Sequence, residues 1–302
     1  MPPDTSTPPR EHPAAMAAAD HLRRQYEGAA AVIFYGSCLR DNTGDGQITS
    51  GLLDFYVLVD SYRSVMSAVA AFWARLLPPN VYLYECDDTS GGRLRAKVAV
   101  MRLDQFLDAL GPRQFTSTVS ARFAQPAAIL YARDQALQLR LTAGFTIAAE
   151  TTVARTLPLM PVRFTARDLW RRAFTESFAA EFRPESKARI DSLVDGDLAF
   201  YTALTSRILG ESEADEFHHT LSARDLEAAR AAWPRRRMAG KALNALRLVK
   251  AAFTFKGGLD YAAWKIRRHS GVDIAVTDDD RRKPLRAGLR LFAQSLRRGV
   301  LK

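Results

Sequence analysis

Cysteine is scarce in this sequence, and long apolar runs are absent. The 302 residues include two cysteines, Cys38 and Cys86, so we expect no disulfide framework and a reducing compartment. No stretch approaches 18 uninterrupted apolar residues, so we expect no membrane-spanning helix. The Pro-rich first residues lack the apolar core of a secretory signal. Together with 47% hydrophobic and 25% charged residues, these absences predict a cytoplasmic globular protein.

Acidic residues are scarce only in the last quarter of the chain. Residues 235–302 carry 18 Lys or Arg against 5 Asp or Glu, a balance of +13. Residues 1–234 carry 25 basic and 28 acidic side chains, a balance of −3. The basic excess is therefore local and predicts an anionic partner for this region. Nucleic acid is the less favoured partner, because the region lacks Gly-aromatic and zinc-finger patterns.

Short apolar segments bounded by turn residues predict strands in the first third of the chain. The predicted strands are AAAVIFY (29–35), DFYVLVD (54–60), NVYLYE (80–85) and RLRAKVAVMR (93–102). Between the second and third, apolar residues at helical spacing predict a helix over 62–77, which stops at Pro78-Pro79. From about residue 115 onward the spacing is almost entirely helical.

This order of elements predicts an α+β fold, with a mixed sheet in an N-terminal head and a mostly α-helical body behind it. We expect a flexible tail over 1–20, the head over 21–113, the helical body over 114–234, and a basic, helical, membrane-associating region over 235–302.

A Gly-Ser pair and a carboxylate stand at facing ends of the first two predicted strands. Gly36-Ser37 follows the first strand, and a backbone without a Cβ lets a phosphate approach closely. Asp54 opens the second strand, and a carboxylate beside phosphates is a usual ligand of Mg²⁺. Taken alone, the pattern also fits a plain β-turn followed by a strand whose Asp caps a strand end.

Further motifs, in the correct order, resemble the soluble, mitochondrial-type phosphatidate cytidylyltransferases, the translocator assembly and maintenance family. The matching positions in the head are Tyr35-Gly36-Ser37, Asp54-Phe55, Val81-Tyr82, Lys97-Val98, Ala121-Arg122 and Pro126. In the helical part they are Ser177, Ala179, Glu181, Arg183, Lys250, Phe253-Thr254 and Tyr261. Three positions depart from the family pattern: Glu181 replaces an Asp, Ala251 replaces a Gly, and Glu85 stands at about the place of an Asn.

The resemblance implies a nucleotidyltransferase fold and an Mg²⁺-dependent enzyme. It would transfer CMP from CTP to phosphatidic acid, giving CDP-diacylglycerol and pyrophosphate. Because the attacking oxygen is already anionic, such a reaction needs charge neutralisation and in-line positioning more than a base. The family pattern implies catalytic roles for Asp54, Lys97 and Arg122, and nucleotide binding by Tyr35, Gly36 and Ser37.

Several of these residues also have a structural interpretation. Lys97 lies mid-strand between apolar neighbours, so it needs a phosphate or carboxylate partner unless its side chain reaches the surface. Tyr35 is equally suited to the core, and Glu181 and Arg183 could pair with each other. The metal would be held by Asp54 and a second acid, for which Asp60, Glu85 and Asp87 are candidates and Glu85 is the best placed.

The basic C-terminal region predicts a membrane contact. Residues 284–302 place Leu285, Leu289, Phe292, Leu296 and Val300 on one helical face, with arginines away from its centre, and residues 235–253 behave similarly. A basic amphipathic helix binds anionic headgroups, so we expect a peripheral protein on the inner face of the cell membrane. An ordinary solvated surface helix is the alternative.

Two other functions remain open from the sequence. A nucleotidyltransferase of the same fold could act on another acceptor, such as a different lipid phosphate, a protein or an RNA. Alternatively, the chain could be a catalytically inactive membrane-docking protein, because Asp54 is followed by Phe55-Tyr56 and no second acid stands two residues on. The oligomeric state is not indicated.

Overall fold

A computed structural model describes residues 12–40, 52–87, 93–181, 185–212 and 216–254, together with Thr277 and Arg290. Within these ranges the strands are β1 (Ala29–Tyr35), β2 (Leu53–Val59), β3 (Asn80–Asp87), β4 (Arg93–Arg102), β5 (Ala127–Ala132), β6 (Arg163–Thr165) and β7 (Glu216–His218). The helices are α1 (Pro13–Gln25), α2 (Ser37–Arg40), α3 (Ala68–Leu76), α4 (Leu103–Leu110), α5 (Thr118–Phe123), α6 (Gln135–Thr156), α7 (Ala166–Ala179), α8 (Lys187–Gly196), α9 (Leu198–Leu209) and α10 (Ala223–Thr254).

Five strands form one mixed sheet in the order β3-β4-β2-β1-β5. The β2 and β4 strands are parallel, and the other neighbouring pairs are antiparallel. The predicted α+β fold with a mixed sheet is therefore confirmed. Every residue of β1 is buried, as its unbroken apolar run requires for a strand covered on both faces.

Side chains that alternate along the strands build two cores. Phe34 and Phe55 point to the face covered by α1 and α3, where Leu22 is also fully buried. Tyr56 points to the opposite face, covered by α4, α5 and α6, where Phe123 packs at its centre. The two faces follow from the period of two along a strand. A third core, built around Trp170 and Tyr201, joins α6 to α7, α8 and α9 in the helical body.

Helix starts in the body follow from capping residues in the sequence. The Asp134 carboxylate accepts a hydrogen bond from the Leu137 N–H at 2.7 Å and begins α6. Thr165 and Asp168 form a capping box that begins α7.

Four segments differ from the sequence predictions. Residues 13–20, assigned to the flexible tail, lie in α1, whose buried alanines and Leu22 pack on the sheet. The predicted helix over 62–77 is a single 3₁₀ turn at Tyr62–Ser64 followed by α3. The β5 strand adds a fifth strand to the sheet from a segment predicted to be helical, and it lies beyond residue 113, where we placed the end of the head.

The fourth difference concerns the basic region. Its first part, 235–254, forms the end of α10, and several of its cations turn toward the protein: Arg237 pairs with buried Glu176, and Lys250 is 4% exposed. The predicted amphipathic helix over 284–302 lies outside the described residues, apart from Arg290.

Candidate functional site

The turn after β1 brings Gly36 directly against Asp54. Tyr35 and Asp54 are register partners on antiparallel strands, so the end of β1 meets the start of β2. Gly36 has a φ of 96°, in the left-handed region, and a Cβ built there would stand 2.9 Å from Asp54 Oδ2. Only a glycine accepts both the backbone angle and this close approach. Ser37 begins the short helix α2 beside the same carboxylate.

Asp54 and Lys97 face each other across the parallel pair β2 and β4. They are register partners, and Lys97 Nζ donates to Asp54 Oδ1 at 3.0 Å. The two side chains are 22% and 28% exposed, so one end of the ion pair remains open to solvent. The mid-strand lysine therefore has a carboxylate partner.

Arg122 lies on α5 at the wall of the same site. Its Nη1 donates to the Tyr56 hydroxyl at 3.2 Å, its Nη2 lies 3.4 Å from Glu181 Oε2, and its guanidinium stands over the Tyr35 ring. Burial works to lower the pKa of Arg122, but attraction to Tyr56 and Glu181 outweighs it and raises the pKa well above the ordinary value. The side chain is therefore a permanent cation. Glu181 pairs with Arg122, which the sequence did not predict; Arg183, its predicted partner, lies outside the described residues.

A second arginine, Arg247 on α10, lies behind Arg122. Burial, together with repulsion from Arg122, lowers the pKa of Arg247 to about 10, despite attraction from Tyr56 and Glu181. Its Nη1 donates to Asn244 Oδ1 at 3.2 Å, while its buried Nε has no hydrogen-bond partner among the described residues. Both guanidinium groups are attracted to the Glu181 carboxylate, so this cluster of three side chains carries one more positive than negative charge.

These elements line one open cleft. It is lined by both polar and apolar side chains of the head and the helical body. They include Tyr35, Gly36, Ser37, Asp54, Lys97, Arg122, Ser177, Phe178, Glu181, Glu185 and Arg189. Six of the seven site residues predicted from the sequence therefore line one cleft, although they come from four separate segments. Phosphate groups fit this chemistry, because cations and a Cβ-free backbone turn meet at one wall.

Glu85, the seventh, does not line the cleft. It lies on β3, the edge strand, where its carboxylate accepts from Arg95 Nε at 2.9 Å on the neighbouring strand. Asp60 stands at the other end of β2 and pairs with Arg133. The Asp87 side chain lies outside the described part of the structure. None of the three candidates is shown beside Asp54.

The site fits a magnesium ion only if one protein carboxylate holds it and other groups complete the coordination. Within the described ranges, no group of three His, Cys, Asp or Glu side chains could hold a metal ion. Mg²⁺, however, is commonly held by one or two carboxylates together with waters and substrate phosphates. Asp54 could supply that carboxylate through Oδ2, because Lys97 contacts the other oxygen. Glu181 and Glu185, which also line the cleft, are acids that strand motifs could not identify as site residues.

Comparisons with known proteins add no identification. No protein-family model matches the chain, and a search of curated proteins finds no significant match. Among the described residues, no helix is long and apolar enough to cross a membrane.

Proposed function

We propose that this protein is a nucleotidyltransferase that transfers CMP from CTP to phosphatidic acid, releasing pyrophosphate, at a membrane surface. One observation carries the proposal: the Gly36-Ser37 turn, the Asp54–Lys97 pair and Arg122 come from separate segments and converge on one cleft. The choice of CTP and phosphatidic acid rests on the motif resemblance alone. The geometry of the cleft neither requires these two substrates nor conflicts with them.

The reaction forms one bond and breaks one. A phosphate oxygen of the acceptor attacks the α-phosphorus of CTP, and the bond from that phosphorus to the bridging oxygen of the β-phosphate breaks. Both reactants are anions, so the main task of the site is to neutralise charge and to hold the reactants in line. A bound Mg²⁺ would supply further positive charge to the phosphates.

The residues of the chain divide this task. The Gly36-Ser37 turn would bind the β- and γ-phosphates, with the Ser37 hydroxyl and backbone N–H groups as donors. Lys97 would neutralise a phosphate oxygen, and Asp54 would hold the magnesium ion. Arg122, with Arg247 behind it, would bind the acceptor phosphate, because the excess charge of the two guanidinium groups favours an anion there.

A second candidate, an inactive membrane-docking protein, is favoured by one specific feature. Asp54 is already paired with Lys97, and the described residues provide no cluster of three acids around it. An active enzyme must therefore separate or share this ion pair when the metal and nucleotide bind.

Incubation of the pure protein with Mg²⁺, each labelled nucleoside triphosphate and phosphatidic-acid vesicles tests the proposal. We expect label from CTP alone to enter lipid, with pyrophosphate released in equal amount. Labelling of a different acceptor supports another nucleotidyltransferase. No labelling of any acceptor, with the protein folded, contradicts an enzymatic role.

A further inference from the structure

Helix α3 turns its large apolar side chains outward. Ala71 and Ala74 are its buried residues and pack on the sheet. Val69, Phe72 and Leu76, spaced along one stripe, are 72%, 64% and 58% exposed; we call this stripe the α3 apolar face. Surface helices of globular proteins normally bury such a stripe and expose polar residues. A contiguous apolar stripe on the surface is instead typical of an interaction site.

The segment that carries the α3 apolar face has cations and no acid; on the neighbouring helix α4, the exposed Asp104 pairs with Arg102. From Ser61 to Tyr84 the sequence contains no acidic residue. The same segment has two arginines, Arg63 and Arg75, and both are exposed. The surface therefore combines apolar bulk with cations, which matches an anionic, amphiphilic partner.

The far end of α3 is connected to the candidate site. Lys250 Nζ on α10 donates to the Leu77 carbonyl at 2.7 Å, directly after α3. One turn earlier, α10 carries Arg247 beside Arg122, and Leu246, which is 53% exposed. The end of α3 is thus linked through α10 to Arg247, which lies behind the cleft residue Arg122.

We propose that the α3 apolar face docks the protein on an anionic lipid bilayer. Val69, Phe72 and Leu76 would enter the headgroup and acyl boundary, while Arg63 and Arg75 would contact lipid phosphates. Trp73, whose ring packs edge-on against Phe72, suits the same boundary, where tryptophan is enriched. The inference rests on the proposed function in one respect: an enzyme whose acceptor is a lipid requires a surface that contacts the membrane.

Vesicle co-sedimentation of the full chain tests this docking surface. The vesicles contain phosphatidylcholine with or without phosphatidylglycerol, and no nucleotide is added. We expect Val69→Ser combined with Phe72→Ser to weaken binding to the anionic vesicles by roughly tenfold or more, since the burial of large apolar side chains is lost. The matched control is Leu139→Ser on α6, which changes a side chain with 65% exposure and should leave binding unchanged.

A second variant tests the charges. Arg63→Gln combined with Arg75→Gln should weaken binding to the phosphatidylglycerol vesicles and have no effect on the neutral ones. Turnover of a short-chain, water-soluble phosphatidic acid should be unchanged in every α3 variant, which separates a failure of docking from a failure of the proposed activity.

Three results would overturn the inference. The first is an absence of vesicle binding by the wild-type chain. The second is equal binding by the Val69→Ser, Phe72→Ser variant and the wild type. The third is a wild-type dimer, measured by sedimentation without vesicles, that becomes a monomer in this variant, because the α3 apolar face would then bind a second copy of the chain.

Discussion

The ammonium of Lys97 lies 3.0 Å from Asp54 Oδ1, across neighbouring parallel strands whose register sets the two residues side by side. Each group satisfies the other in the free protein, so neither is an isolated charge in the sheet. A magnesium–triphosphate complex carries a cation that suits the Asp54 carboxylate and anionic oxygens that suit the Lys97 ammonium. In the proposed function, such a complex would replace the ion pair: Asp54 would hold the metal, and Lys97 would bind a phosphate oxygen.

The first prediction concerns Asp54. Asp54→Asn should lower turnover by more than 100-fold, because the amide no longer neutralises a metal or positions Lys97. The free energy of unfolding should stay within ~2 kcal/mol of wild type, since both side chains are partly exposed. Radiolabel transfer and urea unfolding measure the two quantities. The matched control is Asp60→Asn just beyond β2, which should remain active; a fully active Asp54→Asn protein would contradict the site.

The second prediction concerns Lys97. Lys97→Gln should reduce turnover about 10- to 100-fold, because one charged hydrogen bond contributes about 1.5–3 kcal/mol. Arg95→Gln changes a cation two residues earlier on β4 that is 71% exposed and pairs with Glu85, and it should have little effect. If Lys97→Gln turns over as fast as Arg95→Gln and the wild type, Lys97 has no role in the reaction.

Sequence patterns predicted β1 to β4 well, because each is rich in apolar, aromatic and β-branched residues, and β1 is an unbroken apolar run. They did not predict β5. Its segment follows a helix and lies among helical patterns, and only pairing with β1 makes it a strand. The N-terminal helix was missed for a related reason, since α1 buries mostly alanines, which give little apolar signal.

The sequence predicted the site residues that belong to local motifs. It did not predict those that only tertiary packing brings to the site. Gly36, Ser37 and Asp54 were predicted because a strand ends or begins at each. Arg247 was not, because in the sequence it is one of many cations in a basic run. Only the packing of α10 shows that this arginine faces Glu181 and Arg122.

The third prediction separates backbone strain from the contact with Asp54. Gly36→Ala should lower stability by roughly 1–2 kcal/mol through its positive φ and should also abolish turnover, because the new Cβ displaces the Asp54 carboxylate. Gly28→Ala is the matched control: its φ is 78°, yet a Cβ there meets nothing within 4 Å. We expect that variant to lose stability alone, by thermal unfolding and turnover assays. Normal turnover of Gly36→Ala would show that the close approach has no role.

The fourth prediction concerns Arg122 at the cleft wall and Arg247 behind it. Arg122→Gln should reduce turnover about 10- to 100-fold, through loss of a charged hydrogen bond to phosphate. Arg247→Gln should chiefly raise the KM for the anionic acceptor, by about tenfold, because its charge lies behind that of Arg122. Arg230→Gln, an exposed position on the same helix, is the control. An unchanged acceptor KM in Arg247→Gln would contradict a role for the excess charge.

The last prediction uses the buried Lys250. Its Nζ donates to the Leu77 carbonyl and to Asn80 Oδ1 at 2.7 and 2.6 Å, while burial and repulsion from Arg247 lower its pKa from 10.5 to about 7. Between these pH values the unfolded chain binds more protons at this residue than the folded protein does, so stability should rise with pH.

Lys250 should change the free energy of unfolding by at most about 1.4 kcal/mol per pH unit. The stability gained at high pH is lost as the pH falls toward 7. Urea unfolding between pH 7 and 9 measures it. Lys250→Met should remove most of this slope and should gain stability relative to wild type at the lower end, since no ammonium has to be buried. Lys241→Met on the same helix should retain the slope. If Lys250→Met and wild type show the same dependence on pH, then Lys250 remains fully charged in its buried site, and the two hydrogen bonds outweigh the cost of burial.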